Sequence, residues 1–317
     1  MRILDELMSH GVVSAAVALI ATREEIEIEE AVGEAPAGIA TRFDFASVTK
    51  PVVSTLALVL DAEGSLPLAT PVGDVWSEAH ARLARRPLAD LLRNRSGLAA
   101  WTPLYHRCRN LDEAAELIVR GGTDGDLVGA RADTYSDLGF LLYGRAAERR
   151  LGVPLMALLR ERVLGPLGMD GVEGTPGERP DLAASRMGTG QEVRLAAKLG
   201  ETCGHAGLFG GARDLWKLGA EWLAPGRLLK PEGVAAALGG GGRFALGWWR
   251  RSLRGSAGKA LSPSAFGFTG FAGNSFWIDP EKGRIFVLLG SRIDPFIDIN
   301  RWRRRFHSAA SARGRIR

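Results

Sequence analysis

Residues 12–21, VVSAAVALIA, form a ten-residue run with a single polar side chain and no charge. That is too short for a membrane-spanning helix, which needs about 20 apolar residues. The preceding MRILDELMSH holds two acids against one arginine, and REEIEIEE follows where a secretion signal would place a small-residue cleavage site. The run therefore reads as a buried strand, and the protein is expected to work in the cytoplasm with no membrane partner. Directly after it, EIEIEEAV (25–32) alternates with the period of two of a second strand.

More strand candidates appear only at the far end of the chain: GRFALGWWRR (242–251), GNSFWID (273–279) and RIFVLLG (284–290). The last two are joined by DPEKG, which has proline at the second turn position. Between the two ends, from about 69 to 194, the patterns are helical: LADLLRN, NLDEAAELIVR, SDLGFLLYGRAAERR and VPLMALLRERVL, separated by loops rich in Gly and Pro. Strands, then helices, then strands predict a sheet built from both chain ends with a helical insertion. The expected division is a discontinuous α/β sheet domain from 1–68 and 195–317, with a mainly helical domain over 69–194. A length of 317 residues suits one composite or two domains. The glycine run 239–242 must be a turn or loop.

Composition excludes several function classes. An apolar fraction of 46% with 24% charged residues is that of an ordinary globular protein. The net charge of +5 is local, because the last 17 residues alone carry seven arginines and no acid. A frayed or helix-ending tail, with a basic helix over 297–311, explains that better than a nucleic-acid face, so no nucleic-acid partner is expected. Cys108 and Cys203 stand far apart, and the five histidines show no HExxH spacing. No metal or other cofactor is expected, and the expected partner is a small-molecule substrate. Oligomeric state is not legible.

The chemistry begins with Ser47 and Lys50. The chain has 6 lysines against 35 arginines, and one of them opens the apolar stretch VVSTLALVL. Ser-x-x-Lys arises by chance about 0.3 times in such a chain. This one has two: Ser47–Lys50, and Ser256–Lys259 in a glycine-flanked loop that serves as a control. On a helix, positions i and i+3 share a face, so Lys50 can reach the Ser47 hydroxyl. Pro51 fits the first helical turn, placing Ser47 near unpaired backbone N–H groups, although proline disfavours a helical residue at 50. Serine needs a neighbouring base to attack, and burial among apolar side chains favours a neutral lysine. The alternative is a lysine whose stem packs while its head reaches solvent. Tyr135 precedes the helical pattern SDLGFLLYGRAAE, which Ser136 or Asp137 can cap, so its ring stands at a helix mouth.

Five segments in order resemble the serine β-lactamase and penicillin-binding protein superfamily: FDFASVTKP, LADLLRNRSGLAAW, TYSDLGFLLYG, GHAGLFGGARDL and FGFTGFAGNSFWIDPEKG. The likeness spans nearly the whole chain. It is closest to the branch of class C β-lactamases, D-alanyl-D-alanine carboxypeptidases and family VIII carboxylesterases. It implies a β-lactamase/transpeptidase-like fold, α/β plus a helical region, with an antiparallel sheet from both chain ends flanked by helices. It also implies Ser47 as the acylated nucleophile, Lys50 as its activator and Tyr135 as partner base. The backbone N–H groups of Ser47 and Phe271 would form the oxyanion hole. Asp137, Phe268, Thr269 and Gly270 would meet the substrate.

Two positions depart from the family pattern. Asp137 stands where Asn is commoner; a carboxylate there would keep Lys50 cationic and leave base duty to Tyr135. Phe268 stands where Lys or His meets a substrate carboxylate, which argues for neutral esters over β-lactams or D-alanyl peptides. QEVRLAAKLGETC (191–203) also looks altered, so the cleft rim is expected to be rebuilt. The leading expectation is a serine hydrolase acting through an acyl-enzyme on Ser47, a carboxylesterase on neutral small esters. The rivals are a D,D-peptidase or weak β-lactamase, and a non-catalytic binding protein that kept the fold.

Overall fold

The run at 12–21 is strand β1 (Val13–Ala21), and it explains the absence of polar residues. Side chains alternate across a strand, and both faces of this one are covered. Ala15, Val17, Leu19 and Ala21 join one hydrophobic core, while Ala16, Ala18 and Ile20 join another on the opposite face. The computed structural model describes residues 1–33, 38–174, 182–183 and 202–313.

β1 pairs antiparallel with β2 (Ile26–Gly33) on one side and with β10 (Arg284–Arg292) on the other. β9 (Ser275–Asp279), β8 (Phe266–Thr269), β7 (Trp248–Arg250) and β6 (Phe244–Ala245) extend the sheet. Its order is β2-β1-β10-β9-β8-β7-β6, antiparallel throughout. The two chain ends thus meet at the β1–β10 ladder, as the order of patterns predicts. GRFALGWWRR is a tight hairpin of two short strands rather than one strand. At its turn Gly247 has φ +74, and a Cβ there would collide with the Ser54 side chain.

A second, three-stranded sheet was not legible in the sequence. β3 (Arg42–Asp44) pairs parallel with β4 (Leu182–Ala183) and antiparallel with β5 (Phe209–Gly210). Two- and three-residue strands carry too little periodicity to register. β3 matters because it ends three residues before Ser47.

Helix α1 (Arg2–Ser9) and the C-terminal helix Ile299–Arg313 cover one face, contributing Leu4, Leu7, Trp302 and Phe306 to its core. Helix α2 (Thr49–Ala62) and the helix Ala212–Leu223 lie in the other core, with the helices from the middle of the chain. The basic tail is therefore not a frayed end over its described length. Its apolar residues recur at the helical spacing of a docked face, with arginines between them. Among the described residues no helix is long and apolar enough to cross a membrane. Residues 191–201 of the altered segment lie outside the described residues.

Candidate active site

Ser47 occupies a single 3-10 turn, Ala46–Val48, that runs directly into α2. The turn is set from upstream. Asp44, the last residue of β3, accepts the Ala46 N–H through Oδ1 at 2.7 Å. Ala46 has φ +47, a left-handed conformation that costs a non-glycine residue about 1–3 kcal/mol. The Asp44 bond helps hold that strained turn. Burial pushes the Asp44 carboxyl up to about 6, against the opposing pull of the Ala46 hydrogen bond.

Lys50 lies on the Ser47 side of α2, and its head does not reach solvent: the residue is 0% exposed. The ammonium group has three polar neighbours, two hydrogen-bond acceptors and one ion-pair partner. Nζ lies 3.1 Å from Ser47 Oγ, 3.0 Å from the His205 carbonyl and 2.7 Å from Asp137 Oδ1. The rings of Tyr135, Phe140 and Phe268 surround it at 5.1–5.7 Å. Lys50 is helical despite the following proline. These contacts, and the orphan status of the Pro51 nitrogen in the first turn, outweigh the local preference.

Tyr135 approaches from the loop before the helix Asp137–Leu151, and its hydroxyl donates to Ser47 Oγ at 3.0 Å. The loop is pinned by Asn94, whose Oδ1 accepts the Ser136 N–H at 2.8 Å. Ser136 is the N-cap residue, but its hydroxyl does not cap the helix; it donates to the Ala99 carbonyl at 2.6 Å. Asp137 is the first helical residue. Burial alone would push its carboxyl up, but the Lys50 charge, helped by His205 and by hydrogen bonds from Lys50 and Tyr135, holds it below the usual range.

Across from the serine, β8 ends at Thr269 and the chain turns through Gly270 and Phe271. A Cβ on Gly270 would fall 2.6 Å from the Phe45 carbonyl oxygen and 3.3 Å from Ala46 Cβ. Only glycine lets this turn press against the backbone beside Ser47. Asn274 locks the two segments together: its Nδ2 donates to the carbonyls of Asp44 (2.7 Å) and Phe45 (3.1 Å). Its Oδ1 accepts the Gly290 N–H from β10 at 3.1 Å. Arg303, on the C-terminal helix, donates to the Gly270 carbonyl at 2.6 Å. No acceptor among the described residues takes up the Phe271 N–H.

Phe268 differs from the expected wall of the cleft. It is 1% exposed, with its ring 6.2 Å from those of Tyr135 and Trp249. It packs beneath the site as support for Tyr135 and Lys50, because its side chain falls on the covered face of β8. Thr269 is partly exposed, and the Phe271 side chain is 55% exposed. Ser256 and Lys259 lie in turns rather than on a helix, and no hydrogen bond joins them. Among the described residues no cluster of His, Cys, Asp or Glu could hold a metal ion.

The beta-lactamase family model matches residues 2–310. The chain belongs to the beta-lactamase family. Among curated relatives, the N-acetylmuramyl-L-alanine amidase of Bacillus subtilis (strain 168) is 26% identical over 83% of this chain and 71% of its own length. Among solved structures, EstCE1, a hydrolase with promiscuous acyltransferase activity, superposes with a TM-score of 0.80 at 19% identity, covering 98% of this chain and 97% of EstCE1. A penicillin-binding protein homologue from Caulobacter crescentus gives 0.79 at 19% identity, covering 98% of this chain and 95% of that one. The fold is that of the β-lactamase/transpeptidase class, and beta-lactamase-family members are serine hydrolases.

Within this family frame, sequence reasoning brought Ser47, Lys50, Tyr135 and Asp137 to one point. It missed Asp44, Asn274, Arg303 and the His205 carbonyl. A lone Asp between two phenylalanines and a lone Asn in a turn were the only traces of the first two.

Proposed function

We propose that this beta-lactamase-family protein is a carboxylesterase that cleaves small esters through an acyl-enzyme on Ser47. The observation that carries the reading is the placement of Ser47 Oγ, 3.0 Å from the Tyr135 hydroxyl and 3.1 Å from Lys50 Nζ. Those are working distances for proton transfer. The Asp137 contact keeps Lys50 as the positive charge of the site, so Tyr135 serves as the base. In its ionised form, stabilised by the Lys50 charge, Tyr135 takes the Ser47 proton as Oγ attacks the ester carbonyl, and so becomes the neutral phenol. The N–H groups of Ser47 and Phe271 receive the developing oxyanion. Collapse expels the alcohol, which takes the proton from Tyr135. Water then gives a proton to Tyr135 as it attacks the acyl group; on collapse Tyr135 returns that proton to Ser47 Oγ, and the carboxylic acid leaves.

The preference for esters rests on what is missing at position 268: the buried Phe268 ring offers no cation or imidazole to a substrate carboxylate, so the acyl group at this point is expected to be neutral. Three polar groups converging on one buried lysine favour turnover over a binding-only role. Fold does not choose among substrates. Stopped-flow mixing with p-nitrophenyl butyrate should give a burst of p-nitrophenol, and quenched enzyme should carry a butyryl group on the Ser47 peptide. Absence of hydrolysis, or an adduct on another residue, overturns the reading.

A further inference from the structure

Beside this site lies a cavity of about 590 Å³ whose lining includes Arg243, Arg250, Arg251 and Arg254. It shares a wall with the candidate active site. Trp249 lines the cavity and stacks on Tyr135, with ring centroids 5.5 Å apart and planes 22° from parallel. Thr269, another lining residue, stands two positions before Phe271. The control serine of the sequence, Ser256, also lines it.

The lining contains no Asp or Glu. Elsewhere arginines of this protein are matched with acids, as in Arg42–Glu173, Arg107–Asp126, Arg213–Glu29 and Arg284–Glu27. Five arginines line the cavity, Arg303 being the fifth, and none of them makes an ion pair among the described residues; Arg303 donates to the Gly270 carbonyl. Arg250 and Arg251 hold main-chain carbonyls, of Leu238, Gly239 and Gly258. Arg243 stacks on Phe244 and Trp249, and Arg254 is exposed. Donors outnumber acceptors here: Arg250 Nε and Trp249 Nε1 are buried with no hydrogen-bond partner among the described residues. Burial and the neighbouring Arg95 hold the Arg250 guanidinium below its ordinary range. Guanidinium forks bind carboxylate and phosphate oxygens in pairs, and unpaired buried donors are costly until such a group arrives.

We propose that this cavity is the subsite for an anionic substituent, a carboxylate or a phosphate, carried by the ester that is cleaved at Ser47. The inference rests on the reading of Ser47 as nucleophile. It also narrows that reading: the acyl carbonyl sits against an apolar support, while the charge sits further along the substrate, beyond Trp249.

The test compares p-nitrophenyl esters of one chain length ending in methyl, carboxylate or phosphonate. In the wild type, kcat/KM for at least one anionic ester should exceed that for the methyl ester by tenfold or more. Whichever anion gains tells carboxylate from phosphate. Arg243→Ala with Arg254→Ala should lower the anionic-to-neutral ratio about 10–100-fold, and Arg254→Lys should restore part of it. Titration of Ser47→Ala protein with glutarate and with phenyl phosphate reads binding without turnover, and the arginine pair should weaken it at least tenfold. An unchanged ratio and equal binding in the arginine variants overturn the subsite. Loss of the Ser47 adduct with anion binding intact overturns only the nucleophile.

Discussion

Lys50 Nζ stands 2.7 Å from Asp137 Oδ1 in a place where the lysine itself is fully buried. The pair defines the electrostatics of the site, because removing one member leaves a buried charge without compensation. Asp137→Asn should therefore destabilise the fold by about 3 kcal/mol or more, although relatives commonly carry Asn here. The Asp137 carboxyl is depressed in the folded state, so its contribution is present above its unfolded value of 3.8 and is lost as pH falls below it. Acid unfolding monitored by circular dichroism should lose part of its steepness below pH 4 in Asp137→Asn.

Asp44 should behave with the opposite sign. Its folded value of about 6 lies above the ordinary 3.8, so the folded protein takes up a proton before the unfolded chain does. Between pH 6 and 4 this group adds stability as pH falls, by about 3 kcal/mol at full effect. Asp44→Asn should remove that component from the stability–pH profile measured by urea unfolding. A profile identical to wild type over pH 4–6 would show that Asp44 is not the group responsible.

Tyr135→Phe removes only the hydroxyl that reaches Ser47. Turnover of p-nitrophenyl butyrate should fall about 10²–10⁴-fold, the range for a general acid–base group. The melting temperature should be read alongside, since the ring also packs on Trp249 and Phe268. A loss below about tenfold would move the proton to Lys50 or to water.

Gly270→Ala tests the oxyanion side. The added methyl would meet the Phe45 carbonyl oxygen at 2.6 Å and push Phe271 away from the Ser47 turn. The expected result is a fall in kcat of about 10²–10³-fold, the effect of losing one oxyanion donor, with a smaller change in KM. A rise in KM alone would make Gly270 a substrate-binding position instead.

The sequence was informative where function is local. Ser47 and Lys50 are three residues apart on a helix start, so elementary helix geometry joins them. β1 announced itself because burial on both faces leaves no polar residue. Tyr135 and Phe271 came only through the order of family-like segments, since no local pattern links residues 88 and 224 positions from the serine. Asp44, Asn274 and Arg303 were illegible for a different reason. They act on main-chain atoms of Ala46, Phe45 and Gly270, and a backbone partner leaves no signature in side-chain identity. Phe268 was read as an open wall of the cleft; its ring does face Tyr135 and Lys50, but it is covered. A two-residue hairpin and a four-residue strand give too few positions to fix which face is covered. The arginine cavity draws on the residues before β6, on β7 and the loop after it, on β8 and β9, and on the C-terminal helix, and neither charge counts nor spacing bring those together.

The most direct measurement is the site of covalent labelling. Wild-type protein, Ser47→Ala and Ser256→Ala should each be incubated with a fluorophosphonate probe, and the adduct mapped by peptide mass spectrometry. Activation of Ser47 by Tyr135 and Lys50 predicts a single adduct on Ser47 in the wild type and in Ser256→Ala, and none in Ser47→Ala. Labelling that persists in Ser47→Ala, or a wild-type protein that takes up no probe while folded, would contradict it.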